Sequence, residues 1–209
     1  MLEHKIGITF SRYCNRKWIK EVHGLENIPS SGFIVASNHT SYLDIWILQA
    51  TFLLNKDRWV KFLAKKELMK DPYFRITTFL MGKDDNMPIL IDREHADSTN
   101  YFEEALASLH KGHIIGVFPE GGRSKTGLLR EGKTGMIRLA LAAKVPILPI
   151  GIQGTFDLMP PGRKLPKNER KCILKIGKPI DLSLHYNKEL SKGTLKILTT
   201  KAMREIAEL

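Results

Sequence analysis

Cysteine is scarce in this sequence, and its scarcity excludes two common ways of stabilising a fold. Only two of the 209 residues are cysteines, Cys14 and Cys172, and neither belongs to a C-x-x-C pair or a Cys/His cluster. A disulfide framework or a zinc site is therefore not expected, and the composition favours a reducing compartment. A chain of this length can bury a core without either.

Long apolar runs are also missing. The longest candidate, residues 42–54, contains Asp44 and Gln49, and it is shorter than the roughly 18 apolar residues that a membrane-spanning helix needs. The N-terminus has no clean apolar stretch followed by a small-residue cleavage site, so no signal peptide is predicted. We expect a protein without a transmembrane helix, either soluble or bound at a membrane surface.

The short motifs of nucleotide-binding enzymes and serine hydrolases are absent as well. The sequence has no G-x-S-x-G nucleophile elbow, no Walker loop and no G-x-G-x-x-G loop, and no histidine pair has zinc spacing. We therefore predict no cofactor and no metal. Because no serine or cysteine nucleophile is evident, a base in the site would activate a hydroxyl group that the substrate supplies.

Basic residues outnumber acidic ones, with 33 Lys and Arg against 22 Asp and Glu, and the formal net charge is +11. Such a charge indicates a polyanionic partner, which could be nucleic acid, an anionic membrane, a phosphorylated substrate or an acidic protein. The sequence has no stacking aromatics on a basic strand and no recognised nucleic-acid-binding signature. A nucleic-acid-binding domain is therefore only the alternative prediction.

Two segments concentrate this charge. Residues 1–20 carry five basic residues and one acid. On a helical wheel, their apolar side is formed by Leu2, Ile6, Phe10 and Tyr13, with Trp18 just beyond. This pattern is typical of an interfacial helix at a membrane, and equally of a helix packed on the core. Residues 163–178 carry seven basic residues and one acid, which indicates a solvated loop and strand edge or a surface for an acidic partner.

Apolar β-type runs alternate with helical patterns over most of the chain. The predicted strands are residues 32–37, 60–64, 88–91, 113–118, 146–151 and 172–176. The predicted helices are residues 41–54, about 95–110, 134–143 and a last helix whose apolar side holds Leu195, Leu198, Ala202 and Ile206. This alternation predicts a single three-layer α/β domain with a largely parallel central sheet flanked by helices. In such domains, ligands bind where strands end and loops begin.

The first candidate site follows the predicted strand 32–37. His39 leaves the strand, and Asp44 lies in the first turn of the next helix, so the two side chains can meet. The carboxylate would hold the imidazole in one tautomer, and a neutral imidazole is a suitable base for a hydroxyl group. The alternative is structural, because Asp44 could simply help to cap the helix that Ser41 opens.

The second candidate is the segment FPEGGRS, residues 118–124, which follows the strand 113–118. Its paired glycines leave room for a substrate to approach the backbone. Arg123 could bind a phosphate with two parallel hydrogen bonds, and Glu120 could accept a hydrogen bond from a hydroxyl or orient a base. The alternative is a turn with a surface arginine.

Two shorter segments complete the set. Ile91, Asp92 and Arg93 lie at a strand end, although Asp92 could also be the cap of a following helix. Lys133 stands at the start of a helix, where the helix dipole disfavours a cation. A lysine at this position is explained if an anion also binds there.

Taken together and in this order, the segments resemble the 1-acyl-sn-glycerol-3-phosphate acyltransferase (lysophosphatidic acid acyltransferase) family. Its motifs are a histidine and an aspartate separated by four residues, an apolar-Asp-Arg segment, Phe-Pro-Glu-Gly-Thr-Arg-Ser, and Val-Pro-Ile-x-Pro. The matching positions are His39 and Asp44, residues 91–93, residues 118–124 and residues 145–149. Gly122 stands where the family usually has threonine. The resemblance covers roughly residues 20–180.

The resemblance implies acyl transfer without a covalent enzyme intermediate. His39 would deprotonate the free hydroxyl of lysophosphatidic acid, Asp44 would orient His39, and phosphatidic acid would be formed. The donor would be the thioester of acyl-coenzyme A or of an acyl carrier protein. By the same resemblance, the glycerol phosphate is bound by Arg93, Glu120, Gly121, Arg123 and Lys133. The strand at Pro146 would help to shape the acyl pocket.

The basic and apolar pattern of the N-terminus, together with the lipid acceptor that the resemblance implies, predicts how the chain is organised. Residues 1–20 would be an amphipathic membrane-docking segment and residues 21–209 the acyltransferase domain. The protein would then be peripheral, on an anionic membrane surface at the cytoplasmic face of the cell membrane. Within this chemistry the acceptor could also be glycerol 3-phosphate, another lysophospholipid or a lyso-aminolipid. A hydrolase with Ser124 as the nucleophile is the rival chemistry.

Overall fold

The computed structural model describes residues 2–71, 74, 75, 78, 87–92 and 99–209. Its α-helices are α1 (Leu2–Trp18), α2 (Leu43–Lys56), α3 (Thr99–His110), α4 (Gly135–Ala143), α5 (Thr155–Leu158) and α6 (Lys192–Glu208). Its strands are β1 (Ile19–His23), β2 (Phe33–Ser37), β3 (Val60–Lys65), β4 (Ile89–Ile91), β5 (Ile114–Val117), β6 (Ile147–Gln153) and β7 (Cys172–Ile176). Short 3₁₀ segments span Leu25–Asn27, Lys66–Lys70 and Ser183–His185.

The described strands form one sheet in the order β1-β7-β6-β2-β5-β3-β4. Strands β2 to β6 are parallel to one another, whereas β7 is antiparallel to β6 and β1 is parallel to β7. We call the edge at which β2 to β6 end the carboxyl edge. Because β1 and β7 run the opposite way, both begin at this edge. The expected three-layer domain with a largely parallel sheet is confirmed.

Helix α2 lies between the sheet and α1. Ten of its 14 residues are buried, which is typical of a helix that is apolar on all sides. It ends at Asp57, which adopts the left-handed conformation (φ 53°) and donates its N–H to the carbonyl of Leu53. The other face of the sheet is covered by α3, α4 and α6, whose apolar residues form a second core cluster.

All six strands predicted from the sequence are present, with ends that differ by at most two residues. Strand β1 was missed. Its sequence, Ile-Lys-Glu-Val-His, buries Ile19 and leaves its charged residues exposed. An edge strand with charged side chains keeps only part of the apolar pattern on which strand prediction depends.

Helix α1 packs on the core. Cys14 is fully buried, Trp18 is 4% exposed, and Phe10 contacts Trp46 with ring centroids 5.3 Å apart. The apolar side expected to be free for a membrane is therefore largely covered, and of the aromatic residues only Tyr13 is exposed, at 43%. None of the described helices is long and apolar enough to cross a bilayer.

Candidate active site

The loop that carries His39 is attached to the neighbouring strand by Asn38. The Asn38 side chain donates a hydrogen bond to the carbonyl of Ile152 and accepts one from the Ile152 N–H, both at 2.8 Å. These bonds continue the pairing of β2 with β6 past the last backbone pair, Ser37 with Ile150. The loop therefore leaves the sheet in a fixed direction. The sequence analysis did not identify Asn38, although its position directly before His39 was the available signal.

His39 and Asp44 meet as expected. Asp44 Oδ2 accepts hydrogen bonds from His39 Nδ1 (2.9 Å) and from the backbone N–H groups of Thr40 (2.7 Å) and Ser41 (2.8 Å). The same carboxylate thus contacts both the start of α2 and the imidazole, so the contacts expected from the two interpretations of Asp44 are both present. A carboxylate only accepts, so Nδ1 carries the hydrogen and the neutral ring keeps its lone pair on Nε2.

Burial strengthens this pair. Asp44 is 0% and His39 8% exposed. The Asp44 Oδ1 atom is buried and has no hydrogen-bond partner among the described residues. A buried carboxylate with one free oxygen stabilises a proton that arrives on the adjacent imidazole. The pKa of Cys172 is raised to about 12, mainly by burial and in addition by the negative charge of Asp44.

Phe118 fixes the plane of the His39 ring. The two rings stack with centroids 3.8 Å apart and an interplanar angle of 13°, and Phe62 stacks behind Phe118 at 5.8 Å. With Nδ1 held by Asp44 and the ring face covered by Phe118, the imidazole has little freedom to rotate. Phe118 lies in a segment that the sequence analysis singled out, but this contact was not foreseen.

Glu120 occupies a different position from the one expected of a phosphate-binding residue. It is 1% exposed, its Oε1 accepts the N–H of His39 (2.6 Å), and its Oε2 accepts the N–H of Arg130 (3.1 Å). Burial raises the pKa of Glu120 above its ordinary value, and the two backbone hydrogen bonds partly oppose that shift. An acidic group in this position holds two loops together, which fits the expected alternative of orienting the base.

Gly121 allows Lys133 to approach the loop closely. Gly121 has a φ of +70°, and a Cβ atom there would lie 3.1–3.3 Å from the last carbons and Nζ of Lys133. The Lys133 N–H also donates to the carbonyl of Pro119 (2.8 Å). A larger residue at position 121 would be strained and would displace the ammonium group. Gly121 thus contributes space and backbone shape.

Arg123 is placed by a stacking contact. Its guanidinium carbon lies 3.7 Å from the centroid of the Tyr42 ring, a geometry in which the ring attracts the cation. Arg123 and Lys133 line the same cavity as His39 and Tyr42. Arg93, the third expected cation, lies outside the described residues.

This cavity has a volume of about 400 Å³. His39 forms part of its lining, together with residues of β3, α3 and α4, most of which are apolar. The apolar residues include Phe62, Leu63, Leu68, Phe102, Met136 and Leu139. Such a lining suits a hydrocarbon chain, and Arg123 and Lys133 in the same lining suit an anionic group attached to it.

Two other expected residues lie apart from this cavity. The Pro146 carbonyl accepts the N–H of Ile34 near the start of β2, so Pro146 is roughly 20 Å from the carboxyl edge at about 3.3 Å per strand residue. Ser124 is fully buried, and its hydroxyl lies 3.3 Å from that of Thr126. Ser124 does not line the cavity, which disfavours a hydrolase with this nucleophile. No group of three or more metal-ligating side chains occurs among the described residues.

Comparisons with known proteins agree with this geometry. Residues 20–153 match the family model described as Acyltransferase. A 1-acyl-sn-glycerol-3-phosphate acyltransferase of Bacillus subtilis is 30% identical over 190 residues, covering 90% of this chain and 87% of that protein. The chloroplastic 1-acyl-sn-glycerol-3-phosphate acyltransferase BAT2 of Brassica napus is 32% identical over 77% of this chain and 44% of its own length. The chain thus spans less than half the length of that relative.

A solved structure covers almost the whole chain. The crystal structure of the 1-acyl-sn-glycerophosphate acyltransferase from Thermotoga maritima matches with a TM-score of 0.72 and 28% sequence identity. The match covers 99% of this chain and 78% of that one. The match therefore includes α1 and β7, which lie outside the region matched by the family model.

Proposed function

Because this chain belongs to the acyltransferase family, we propose that it transfers a fatty acyl group from an acyl thioester to the free hydroxyl of 1-acyl-sn-glycerol-3-phosphate. The product is phosphatidic acid, an intermediate of phospholipid biosynthesis. The observation that carries the proposal is the buried His39–Asp44 pair, whose histidine lines a largely apolar cavity together with Arg123 and Lys133.

His39 is the base of this reaction. Its Nε2 accepts the proton of the acceptor hydroxyl while Asp44 keeps Nδ1 protonated and stabilises the imidazolium that forms. The acceptor oxygen attacks the thioester carbonyl and forms a tetrahedral intermediate. When the intermediate collapses, the carbon–sulfur bond breaks, and His39 returns its proton to the departing thiolate. The enzyme forms no covalent bond to the acyl group.

The phosphate of the acceptor is bound by Arg123 and Lys133. A guanidinium binds a phosphate through two parallel hydrogen bonds, and the lysine adds a point charge. The first N–H groups of α4, which begins at Gly135 beside Lys133, add donors that favour an anion. Arg93 is included among the phosphate-binding cations only because of the family resemblance.

The apolar cavity receives an acyl chain. Its lining by Phe62, Leu63, Met136 and Leu139 offers no charged partner to a ligand, so a hydrocarbon fits better than a sugar or a nucleotide. The acyl donor is acyl-coenzyme A or an acyl carrier protein. The chemistry at His39 is the same for both because each presents a thioester carbonyl.

The reaction takes place at a membrane surface, since a lysophospholipid with a long acyl chain resides in a bilayer. The protein is peripheral, at the cytoplasmic face of the cell membrane. Residues 1–20 supply basic groups for docking, because Lys5, Arg12 and Arg16 are exposed on α1. Each such cation near an anionic leaflet contributes about 1 kcal/mol.

The test is an assay of the purified protein with four acceptors and two donors. The acceptors are lysophosphatidic acid, glycerol 3-phosphate, a lysophospholipid with a larger headgroup and a monoacylglycerol. We expect the highest kcat/KM with lysophosphatidic acid. The monoacylglycerol should be poorer by at least tenfold, because it leaves two cations without a charge partner.

The donor arm compares acyl-coenzyme A with an acylated acyl carrier protein. Transfer from either one supports the reaction class, and the ratio of the two rates identifies the carrier. A rate with monoacylglycerol equal to that with lysophosphatidic acid would exclude the phosphate site. Release of free fatty acid at the rate of donor consumption, without an acylated product, would instead indicate a hydrolase.

A further inference from the structure

Two leucines are exposed at the tips of loops near the site. Leu128 is 73% exposed in the loop of residues 124–134, and Leu165 is 69% exposed in the loop of residues 159–171. An aliphatic side chain that projects this far into solvent gains about 1.5–3 kcal/mol when it is buried. We name the pair the leucine rim.

Both loops lie against the same short helix at the carboxyl edge. Helix α5 follows β6, and the Thr155 hydroxyl at its start is 3.1 Å from that of Thr40, the neighbour of His39. Gly127 packs against the ring of Phe156. The Lys167 N–H donates to the carbonyl of Leu158 (3.0 Å). The leucine rim therefore flanks the part of the carboxyl edge that holds the His39 loop.

The loops are held in place. Gly127 has a φ of +81°, a conformation that favours glycine. In the second loop, Arg163 Nε donates to the carbonyl of Leu165 (2.8 Å), and Trp18 Nε1 donates to that of Lys167 (3.0 Å). Prolines 160, 161 and 166 further limit its freedom. A fixed loop loses little conformational entropy when its tip is buried.

The charge around the leucine rim is positive. The exposed basic residues of the two loops include Lys125, Arg130, Arg163, Lys164, Lys167 and Arg170. The exposed acids there are Glu131 and Glu169. Lys171 forms an ion pair with Asp157 (2.8 Å) and is not counted among the free cations. Protruding leucines within a basic surface match the interior and the headgroups of an anionic bilayer.

Among its described side chains, helix α1 offers little apolar surface, since of its aromatic residues only Tyr13 is exposed. Trp18 and Cys14 are buried, and Phe10 is packed on Trp46. Its exposed side is polar and basic, with Lys5, Arg12 and Arg16. The end of α1 is nevertheless at the carboxyl edge, because β1 begins there beside β7. Only the last turn of α1, with Arg16, therefore lies near the two loops, because His4 at the start of the helix contacts Asp57 just before β3, at the opposite edge.

We propose that Leu128 and Leu165 insert into an anionic bilayer and place the mouth of the cavity against it. The basic groups of the two loops and Arg16 at the end of α1 contact the headgroups, and the leucines enter the acyl region below them. The proposal rests on the acyltransferase function proposed above in one respect, since a lipid acceptor gives the site a reason to face a membrane.

The test measures binding to large unilamellar vesicles of equimolar phosphatidylcholine and phosphatidylglycerol by co-sedimentation. The full chain is compared with Leu128→Gln, Leu165→Gln and the double variant. Each single change should weaken binding about tenfold, and the double change roughly 100-fold, since every 1.4 kcal/mol is a factor of ten. High salt should weaken binding of every variant, because it screens the basic groups.

Two exposed residues elsewhere serve as matched controls. Leu184 is 79% exposed in the 3₁₀ segment Ser183–His185, close to Ile180, which pairs with Ile147 at the start of β6. It therefore lies at the opposite edge of the sheet. Ile197 is 70% exposed on α6. Leu184→Gln and Ile197→Gln should bind vesicles like the unchanged protein.

A second readout separates docking from catalysis. With a short-chain, monomeric acceptor in the absence of vesicles, the double variant should keep its activity, which also shows that it is folded. If the double variant binds vesicles within twofold of the unchanged chain, the proposal is wrong. It is equally wrong if vesicle binding is unchanged and only transfer from an acyl carrier protein is lost, because the surface then meets an acidic protein. Vesicle binding that depends on the leucines, in a protein without transfer activity, would support the docking surface and reject the proposed reaction.

Discussion

Two parts of the site lie at the same edge of the sheet but use their polar groups differently. One is the turn that carries His39 and Asp44. The other, which we call the rim and which is separate from the leucine rim, carries Arg123 and Lys133. In the turn, Asp44 is fully buried and receives three hydrogen bonds on one oxygen. On the rim, no acidic side chain forms an ion pair with Arg123 or Lys133 within the part of the chain that the structure describes. Arg123 instead stacks on Tyr42.

Because of this difference, we expect the turn to determine the rate of the reaction and the rim to determine the affinity for the acceptor. A group that is already held in its working geometry contributes to the transition state without further ordering. Cations without a protein partner gain most of their interaction energy when an anionic ligand arrives. Changes in the turn should therefore lower kcat, and changes on the rim should raise the KM of the acceptor.

Asp44→Asn should have the largest effect among changes to the partners of His39. The amide cannot stabilise an imidazolium in the same way, and its NH₂ group opposes one of the N–H donors that now reach Oδ2. We expect kcat to fall by roughly 10²–10⁴-fold, as measured with saturating acceptor and donor. Asp157→Asn, an exposed aspartate on α5, is the control and should leave kcat unchanged.

A folded Asp44→Asn variant with kcat within threefold of the unchanged protein would contradict the role of Asp44. Circular dichroism and thermal unfolding of the same samples distinguish loss of chemistry from loss of the start of α2, which Asp44 also holds through Thr40 and Ser41. The expected cost of that second effect is about 1 kcal/mol of stability.

Arg123→Ala should act on affinity. Loss of a charge-assisted hydrogen bond costs about 1.5–3 kcal/mol, so the acceptor KM should rise roughly 10- to 150-fold with little change in the donor KM. Arg138→Ala, an exposed arginine on α4, is the control. Tyr42→Leu should give a smaller rise of about two- to fivefold, because a cation–π contact contributes about 0.5–1 kcal/mol.

If stacking explains the effect, Tyr42→Phe should have the same acceptor KM as the unchanged protein, because the ring face is retained. A rise in the donor KM in place of the acceptor KM would show that Arg123 contacts the carrier of the acyl group. The assignment of Arg123 to the acceptor would then be wrong.

Glu120→Gln tests whether Glu120 belongs to the turn or to the rim. The amide offers one acceptor for the two N–H groups of His39 and Arg130, so the His39 loop should shift. A misplacement of 1 Å can cost about 10²-fold, and the smaller shift expected here should lower kcat by roughly tenfold. The acceptor KM should stay level. Glu131→Gln is the exposed control, and a raised acceptor KM in Glu120→Gln would identify Glu120 as a ligand of the substrate.

The smallest effect is a change of stability with pH. Burial raises the pKa of Glu120 above its ordinary value of 4.5, so the folded protein keeps this proton at pH values where the unfolded chain has lost it. The free energy of unfolding of the unchanged protein, relative to Glu120→Gln, should therefore fall as the pH rises from 4.5 through the raised pKa. Denaturant titrations across this range measure it, and parallel profiles would contradict the assigned direction.

Much of the fold could be predicted because the parallel strands are continuous apolar runs. Residues 33–37 and 147–152 are buried along their whole length, as expected for strands covered on both faces. Strand β1 escaped prediction because it lies at an edge and has charged side chains exposed. The sequence pattern of α1 suited a membrane surface and the core equally. Its buried face, with Cys14 and Trp18, became evident only from its packing on α2.

Part of the site could also be predicted, because its residues lie in short motifs. His39, Asp44, Arg123 and Lys133 lie in motifs with recognisable spacing. The structure places His39, Arg123 and Lys133 around one cavity, and Asp44 is hydrogen-bonded to His39. The role of Glu120 could not be read from spacing, because it depends on backbone N–H groups that carry no residue identity. Pro146 was predicted to help shape the acyl pocket because it belongs to a motif. The direction of β6 shows that it lies at the edge of the sheet opposite the carboxyl edge.

The central claim is that His39 is the base, and His39→Ala tests it most directly. The measurement is the rate of phosphatidic acid formation from lysophosphatidic acid with each donor, under single-turnover conditions, beside His110→Ala as the control. The account predicts a loss of roughly 10²–10⁴-fold for His39→Ala, with the fold intact by circular dichroism and with unchanged activity in the control. A folded His39→Ala variant that forms phosphatidic acid at a rate close to that of the unchanged protein would contradict it.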